Sequence, residues 1–234
     1  MLFRSRPIAA DTIEVLAAAA RREGGRLHLV TQHDDIERAA TIFAASDRIR
    51  ALTPGLHAQM VSELRWPGDD DSDTGIDVSS LELEASALAV LDILRRPDVM
   101  NHLAHWKGGS ALGEDTRHRV SASSAIAVIS VTEGALTDYA RGGAAVEAVW
   151  IAAQQRGLAV QPYSPVFLYA RDANDLTELS VSFAEELGDL QQEFRKLAWI
   201  SADAVPALVL RLAVSEPPSV RSRRSLERVR LLDR

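Results

Sequence analysis

The segment Gly142–Val166 constrains the fold more than any other part of the chain. It runs GGAAVEAVWIAAQQRGLAVQPYSPV. Its small and apolar residues recur at helical spacing, which predicts a helix over Thr137–Arg156 that Gly157 ends. The run Leu158–Gln161 predicts a short strand, and the Pro-Tyr-Ser-Pro sequence after it predicts a turn. Because the predicted helix is rich in alanine and glycine, a neighbouring helix can approach it closely.

Helical and strand-like segments alternate along the rest of the chain. Apolar residues recurring every three or four positions predict helices, and short apolar runs between turn residues predict strands. The predicted helices are Ala10–Glu23 with Asp11 as N-cap, two between His33 and Leu64 divided at Thr53, Leu81–Leu94, and Leu176–Trp199 with a weak point at Gly188. The predicted strands are Arg26–Thr31, Ser123–Val131 and Pro206–Val214. Strands separated by long helices predict a layered α+β domain.

The chain of 234 residues suits one domain, which we place at residues 1–214. An acidic segment with Pro and Gly, residues 65–77, predicts a surface loop. Residues 101–119 lack a steady period, so we expect a surface loop or lid that carries the aromatic Trp106. Residues 215–234 form an arginine-rich tail.

Composition and charge exclude several function classes. The formal net charge of -7 opposes a broad nucleic-acid or anionic-membrane surface. With no cysteine, the chain has neither a disulfide nor a thiolate site. No apolar run approaches the ~20 residues that a membrane helix needs, and the first residues do not resemble a signal peptide. We therefore expect a soluble, cytoplasmic protein.

Two segments together resemble the nitroreductase-like FMN flavoproteins. One is Gly142–Val166, and the other is the tail Pro217–Leu231, PPSVRSRRSLERVRL. The resemblance implies an α+β fold with a small, mainly antiparallel sheet and helices on both sides. It also implies an FMN-dependent NAD(P)H oxidoreductase that reduces nitro or quinone-like acceptors, and a homodimer or a pairing with a similar domain. Thr137–Arg156 and Leu81–Leu94 are the expected helices of the shared core.

The same resemblance assigns residues to the flavin. Gln161, Pro162, Tyr163 and Ser164 would face the ring, and the tail would wrap a partner subunit. The expected phosphate-binding arginines of the tail are Arg221, Arg223 and Arg224. A guanidinium fork holds phosphate bidentately, and FMN itself supplies the hydride chemistry, so no catalytic acid or base is expected.

The chain departs from the family pattern at two places. The family opens with an Arg-x-Ser-x-Arg segment, whereas here only Arg4 and Arg6 stand near the start as substitutes. The ring-contact segment after the first helix is replaced by Arg22–Leu27, REGGRL. Asp73–Val78, DTGIDV, resembles a stretch of the tandem, flavin-sequestering subgroup. The alternative is therefore a degenerate module for dimerisation, regulation or flavin sequestration, as part of a larger tandem or fused protein.

Two other patterns are weaker evidence of function. His102 and His105, with Asp98 and His118 near them, match no metal-ligand motif, and we expect no metal. A third option is that the tail docks an acidic protein or nucleic acid, which the net charge of -7 opposes.

Overall fold

The computed structural model describes residues 6–67, 75–106 and 108–215. The helices, in chain order, are α1 (Ala10–Arg22), α2 (His33–Leu52), α3 (Pro54–Ser62), α4 (Ala85–Leu94), α5 (Pro97–His105), α6 (Glu114–Ser121), α7 (Leu136–Gln155), α8 (Ala173–Leu179) and α9 (Ala184–Leu197). The strands are β1 (Arg26–Val30), β2 (Leu64–Arg65), β3 (Ile76–Asp77), β4 (Ala125–Val131), β5 (Ala159–Tyr163) and β6 (Val205–Ala213). Short 3₁₀ turns occur at Val78–Leu81, Ser110–Gly113 and Val181–Phe183.

The described chain packs into two compact units, which are residues 6–49 with 110–215, and the described part of residues 50–109. The first unit holds a four-stranded sheet in the order β1-β4-β6-β5, with every neighbouring pair antiparallel. All seven residues of β4 are buried. A strand covered on both faces loses the alternation of polar and apolar residues, which explains its continuous apolar run.

Helices cover both faces of this sheet. On one face, α1 and α7 pack over alanine-rich strand residues, with Leu16, Ala145 and Val149 fully buried. On the other face, α2, α8 and α9 pack around Phe43 and Phe194. The predicted α+β arrangement, a small antiparallel sheet between helices, is therefore confirmed.

The second unit is smaller and contains α3, the parallel pair β2 and β3, α4 and α5. His57 is buried, and its Nε2 lies 2.8 Å from the carbonyl oxygen of Leu94. Although α4 is almost wholly apolar, none of its residues is buried.

Four local predictions were wrong. The range 101–119, expected to be irregular, is largely helical because α5 and α6 flank a break at Gly108 and Gly109. The helix predicted over Leu176–Trp199 is divided at Ser180, where the backbone is extended, and not at Gly188. The N-cap of α1 is Ala9, while Asp11 instead accepts a 2.7 Å hydrogen bond from Arg156. The helix expected to start at Leu81 starts at Ala85, after a 3₁₀ turn.

Trp199 occupies a position where glycine is usual. It follows the last turn of α9 with φ 54, and Ile200 N donates to Arg195 O at 2.9 Å, as in a Schellman cap. Its side chain is 85% exposed, so packing offsets little of the backbone strain.

We expect Trp199→Gly to raise the free energy of unfolding by about 0.5–1 kcal/mol, because glycine adopts this conformation without strain. Trp199→Ala, which removes the indole and keeps the strain, is the matched control and should bring no such gain. Chemical denaturation of the two variants makes the comparison, and equal stabilities would contradict the strain argument.

No helix in the described stretches combines the length and the apolar character needed to cross a membrane.

Candidate functional site at the end of strand β5

A single carboxylate ties the end of β5 to two helices. The hydroxyl of Tyr163, the last residue of β5, donates to Oδ2 of Asp47 on α2. Thr116 on α6 donates its hydroxyl to the same oxygen at 2.5 Å. The Tyr163 ring also stacks on Phe43, with ring centroids 4.8 Å apart. Hydroxyl-to-carboxylate bonds are short and charge-assisted, so this cluster fixes the strand end firmly.

Side chains of two helices hold the turn that follows β5 by hydrogen bonds to its backbone. Val166 N donates to Oγ of Ser46 on α2 at 2.8 Å. The side-chain amide of Gln191 on α9 donates to the carbonyl oxygens of Phe167 and Ala170, at 2.8 and 2.7 Å. Helices on the same face of the sheet therefore hold both ends of the turn, and its shape is set before any ligand arrives.

Positive charge lies beside the same strand. Arg211 on β6 stands opposite Gln161 in the register, and donates to Gln161 Oε1 at 2.9 Å and to Ser123 Oγ at 2.8 Å. Both partners are neutral. Burial, and then the neighbouring Arg119 guanidinium, lower the pKa of Arg211 from its usual value. Arg119 itself pairs with Asp115 at 2.7 Å, so this edge keeps a partly desolvated positive charge.

The structure brings together part of the site predicted from the sequence. Gln161 and Pro162 are exposed on the edge strand, while Tyr163 and Ser164 are half-buried at its end. Arg6 is exposed. The remaining predicted phosphate-binding residues, which are Arg4, Arg221, Arg223 and Arg224, lie outside the described residues.

Sequence reasoning missed Asp47, Thr116 and Arg211. Asp47 lies four positions after Phe43 and therefore on the same face of α2. This spacing could have indicated a carboxylate that faces inward. Arg211 interrupts the apolar run of β6, ALVLRLA, and a charged residue inside a buried strand was the second signal. Nothing in the sequence near Thr116 indicated its role.

A half-buried histidine lies on the opposite edge strand. His28 on β1 places Nε2 2.8 Å from Ser130 Oγ on β4. Burial, and then the charge of Arg26, lower the pKa of His28 below the ordinary 6.5, with Arg195 acting in the same direction and a hydrogen bond with the Trp199 backbone opposing.

This histidine should make stability depend on pH. Because its folded-state pKa lies below its unfolded value, the unfolded chain binds more protons, and the free energy of unfolding should fall as pH drops through 6.5. Denaturant unfolding at pH 7.5 and pH 5.5 measures the loss, and His28→Gln should reduce it. An unchanged pH dependence in His28→Gln would assign the loss to other groups.

Comparisons with known proteins show the fold. No protein-family model matches the chain. A protein of Mycobacterium tuberculosis (strain CDC 1551 / Oshkosh), called uncharacterized protein MT1398, is 56% identical over 213 residues, which cover 91% of this chain and 30% of that protein. The chain thus spans about 30% of the length of the curated relative that it matches.

Two solved structures resemble the chain over nearly its whole length. The FMN-dependent nitroreductase NfnB from Mycobacterium smegmatis, solved with NADPH, has a TM-score of 0.50 at 10% identity, covering 99% of this chain and 92% of that one. Oxidized iodotyrosine deiodinase, solved with FMN and 3-iodo-L-tyrosine, has a TM-score of 0.49 at 10% identity, covering 99% and 92%. The match to NfnB shows that the chain has the nitroreductase fold.

Proposed function

We propose that the protein is an FMN-dependent oxidoreductase of the nitroreductase type, which takes electrons from NAD(P)H and reduces nitro or quinone-like acceptors. The observation that carries this proposal is the fold shared with NfnB, itself an FMN-dependent nitroreductase solved with NADPH. A fold alone hosts many functions, so the residues at the end of β5 must also suit an FMN ring.

The residues at the end of β5 fit the ring end of FMN. An isoalloxazine ring presents carbonyl oxygens and ring nitrogens, which accept hydrogen bonds and favour nearby positive charge. Arg211 supplies that charge, and Gln161 supplies an exposed amide beside it. The turn from Ser164 to Ala170 provides a pre-shaped backbone edge, since Ser46 and Gln191 hold it. Bound FMN would supply the hydride chemistry, and the chain's own residues would position the ring.

The phosphate end of FMN is proposed to lie on arginines. Arg6 is exposed and carries no ion pair with any residue that the structure describes. Arg221, Arg223 and Arg224 in the tail remain the proposed principal contacts, with Arg4 and Arg6 as substitutes for the missing opening motif. Their guanidinium forks match phosphate geometry.

The visible spectrum tests the proposal. Purified protein mixed with FMN and desalted should retain the flavin bands, and NADH or NADPH added without oxygen should bleach them. Arg223→Ala with Arg224→Ala should abolish retention, whereas Arg228→Ala with Arg230→Ala, an equal charge change in the same tail, should not. A colourless wild-type protein after desalting would contradict the proposal, provided circular dichroism shows it folded.

One observation favours the alternative, a degenerate module for regulation, dimerisation or flavin sequestration. Side chains that were expected to face the flavin make contacts within the protein. Tyr163 uses its hydroxyl on Asp47 and its ring on Phe43, and Gln161 bonds Arg211. Retained flavin that no nicotinamide bleaches would support sequestration, and absence of flavin would support a binding module.

We also propose a homodimer or a pairing with a similar domain. Two helices present apolar surface to solvent within their own units. In α4, Val90 and Ile93 are 52% and 51% exposed, and in α7, Leu136 and Ile151 are 89% and 49% exposed. Val90 and Ile93 are neighbours one turn apart on α4, and exposed apolar patches of this kind mark association surfaces.

Light scattering after gel filtration tests the pairing. We expect a dimer for the wild type and a monomer for Ile93→Arg. Val181→Arg, at an apolar position that is 81% exposed outside both helices, is the control and should stay dimeric. A monomeric wild type would exclude the homodimer.

A further inference from the structure

A cleft in the first unit lies at the start of β1, and its lining includes residues 24–27 of the segment that stands where the family has its ring-contact stretch. Its volume is about 550 Å³, within the range of small-molecule sites. The end of α1, the first residues of β1, the end of β4 and the loop before β6 line it. None of the residues assigned above to the flavin takes part.

Two arginines in the lining of this cleft have no ion pair with any residue that the structure describes. Arg21 and Arg26 are both in its lining and both exposed. Across residues 6–67, 75–106 and 108–215, neither guanidinium has an ion pair or a side-chain hydrogen bond. By contrast, the adjacent Arg22, which lies outside the cleft, pairs with Glu23 at 3.4 Å. Unpaired guanidinium groups at a concave surface favour an anion.

The connection between α1 and β1 fixes the backbone positions of the two arginines relative to each other. Gly24 has φ +80, and Gly24 N donates to Arg21 O at 3.0 Å while Gly25 N donates to Ala20 O at 2.9 Å. A Cβ at Gly25 would lie 2.6 Å from Ala145 Cβ, so the backbone packs directly on α7. The backbone that carries both arginines is therefore fixed before a ligand binds, which lowers the entropy cost of binding.

The rest of the lining defines the kind of anion. Asp203 is the one carboxylate in the lining, and the two arginines leave an excess of one positive charge. Hydrogen bonding from Ser201, and further the charges of Arg26 and Arg195, lower the pKa of Asp203, so it is ionised at neutral pH. Thr132 offers an exposed hydroxyl, and Ala17, Leu27 and Val131 give apolar walls.

We propose that this cleft binds a small organic anion, with a phosphate or carboxylate group on Arg21 and Arg26 and an apolar body against the walls. The positive charge of the two arginines favours a ligand with an anionic group, and the apolar lining favours an organic ligand over a free inorganic ion. The cleft shares no residue with the flavin contacts proposed above, and anion binding is measured without flavin, so the two proposals can fail separately.

Calorimetric titration with phenyl phosphate and with benzoate tests the site, with phenol as the neutral probe. We expect the wild type to bind one or both anions and to bind phenol more weakly, since phenol lacks the charge. Arg21→Gln and Arg26→Gln should each weaken binding at least about tenfold. Asp203→Asn should tighten it, because the opposing charge is gone, and Arg22→Gln should leave it unchanged.

Several outcomes would overturn the proposal. These are no binding of either anion by the wild type, phenol binding as tightly as the anions, or unchanged affinity in both Arg21→Gln and Arg26→Gln. Thermal melts confirm that the variants fold, which is expected because both side chains are exposed. Arg223→Ala with Arg224→Ala should leave phenyl phosphate binding intact, and this separates the cleft from the flavin proposal. A preference for phenyl phosphate over benzoate would identify the anionic group as phosphate.

Discussion

Replacing Gly113 with alanine is expected to destabilise the first unit by about 3 kcal/mol or more. A Cβ at this position would lie 2.1 Å from the carbonyl oxygen of Ala44 on α2, and 2.7 Å from its Cα. Backbone atoms cannot move aside as a flexible side chain can. Gly113 has φ -103, which alanine adopts freely, so the effect is steric.

The same substitution should disturb the site. Gly113 is the residue before α6, and α6 carries Thr116, whose hydroxyl reaches Asp47 at 2.5 Å. If α6 moves away from α2 to accommodate the methyl group, that hydrogen bond lengthens or breaks. Denaturant unfolding followed by circular dichroism measures the loss of stability.

Gly143→Ala is the matched control for this prediction. Gly143 lies in the exposed face of α7, and a Cβ there would meet no atom within 4 Å. Alanine is the better helix former, so this variant should gain about 0.5–1 kcal/mol. A Gly113→Ala variant as stable as the wild type would mean that α2 and α6 are farther apart than the structure places them.

Phe43→Ala is expected to cost about 3–5 kcal/mol of unfolding free energy. Phe43 is fully buried, and its ring contacts two others: Tyr163 with centroids 4.8 Å apart, and Phe194 at 5.1 Å. Truncation leaves a cavity in the core and removes the ring against which Tyr163 stacks. Equilibrium unfolding in urea or guanidinium gives the value.

Two further variants separate the packing and hydrogen-bond contributions to that loss of unfolding free energy. Phe43→Leu keeps most of the volume and should cost clearly less than Phe43→Ala. Tyr163→Phe keeps the stack and removes only the hydroxyl bond to Asp47, which should cost about 1–2 kcal/mol. If Tyr163→Phe cost as much as Phe43→Ala, the carboxylate and not the aromatic packing would dominate this part of the core.

The sequence correctly predicted the helices and strands whose formation depends mainly on their own local residue pattern. Helix α7 and strand β4 are long, strongly apolar and bounded by turn residues, and both are present with ends within two residues of prediction. The predicted weak point at Gly188 does not interrupt α9, because a glycine costs a helix only about 1 kcal/mol. Gly188 also lets α9 approach Leu176, whose Cδ1 would lie 3.4 Å from a Cβ there. The chain turns at Ser180 so that α8 can pack against α9, a tertiary demand with no local signal.

The candidate site was only partly predictable from the sequence, because tertiary packing brings some of its residues together without a local signal. Residues from Gln161 to Ser164 form one strand end and turn, so their proximity follows from chain order. Asp47, Thr116 and Arg211 belong to three other elements, and only the finished packing brings them to that strand. Arg4 and the tail lie outside the described residues, and the assignment of these arginines and of Arg6 to the phosphate stays a prediction.

The strand order has a consequence for how the chain acquires its structure during synthesis. Strand β6 is the last of the sheet in the chain, yet it lies between β4 and β5 and joins them. Until residues 205–213 leave the ribosome, β1 and β4 form at most a two-stranded ribbon, and β5 has no strand to pair with. Sheets assembled from such distant segments fold slowly and expose apolar edges meanwhile. A nascent chain arrested before Val205 should therefore be sensitive to proteolysis and prone to aggregation. Resistance to both should appear abruptly once Ala213 emerges.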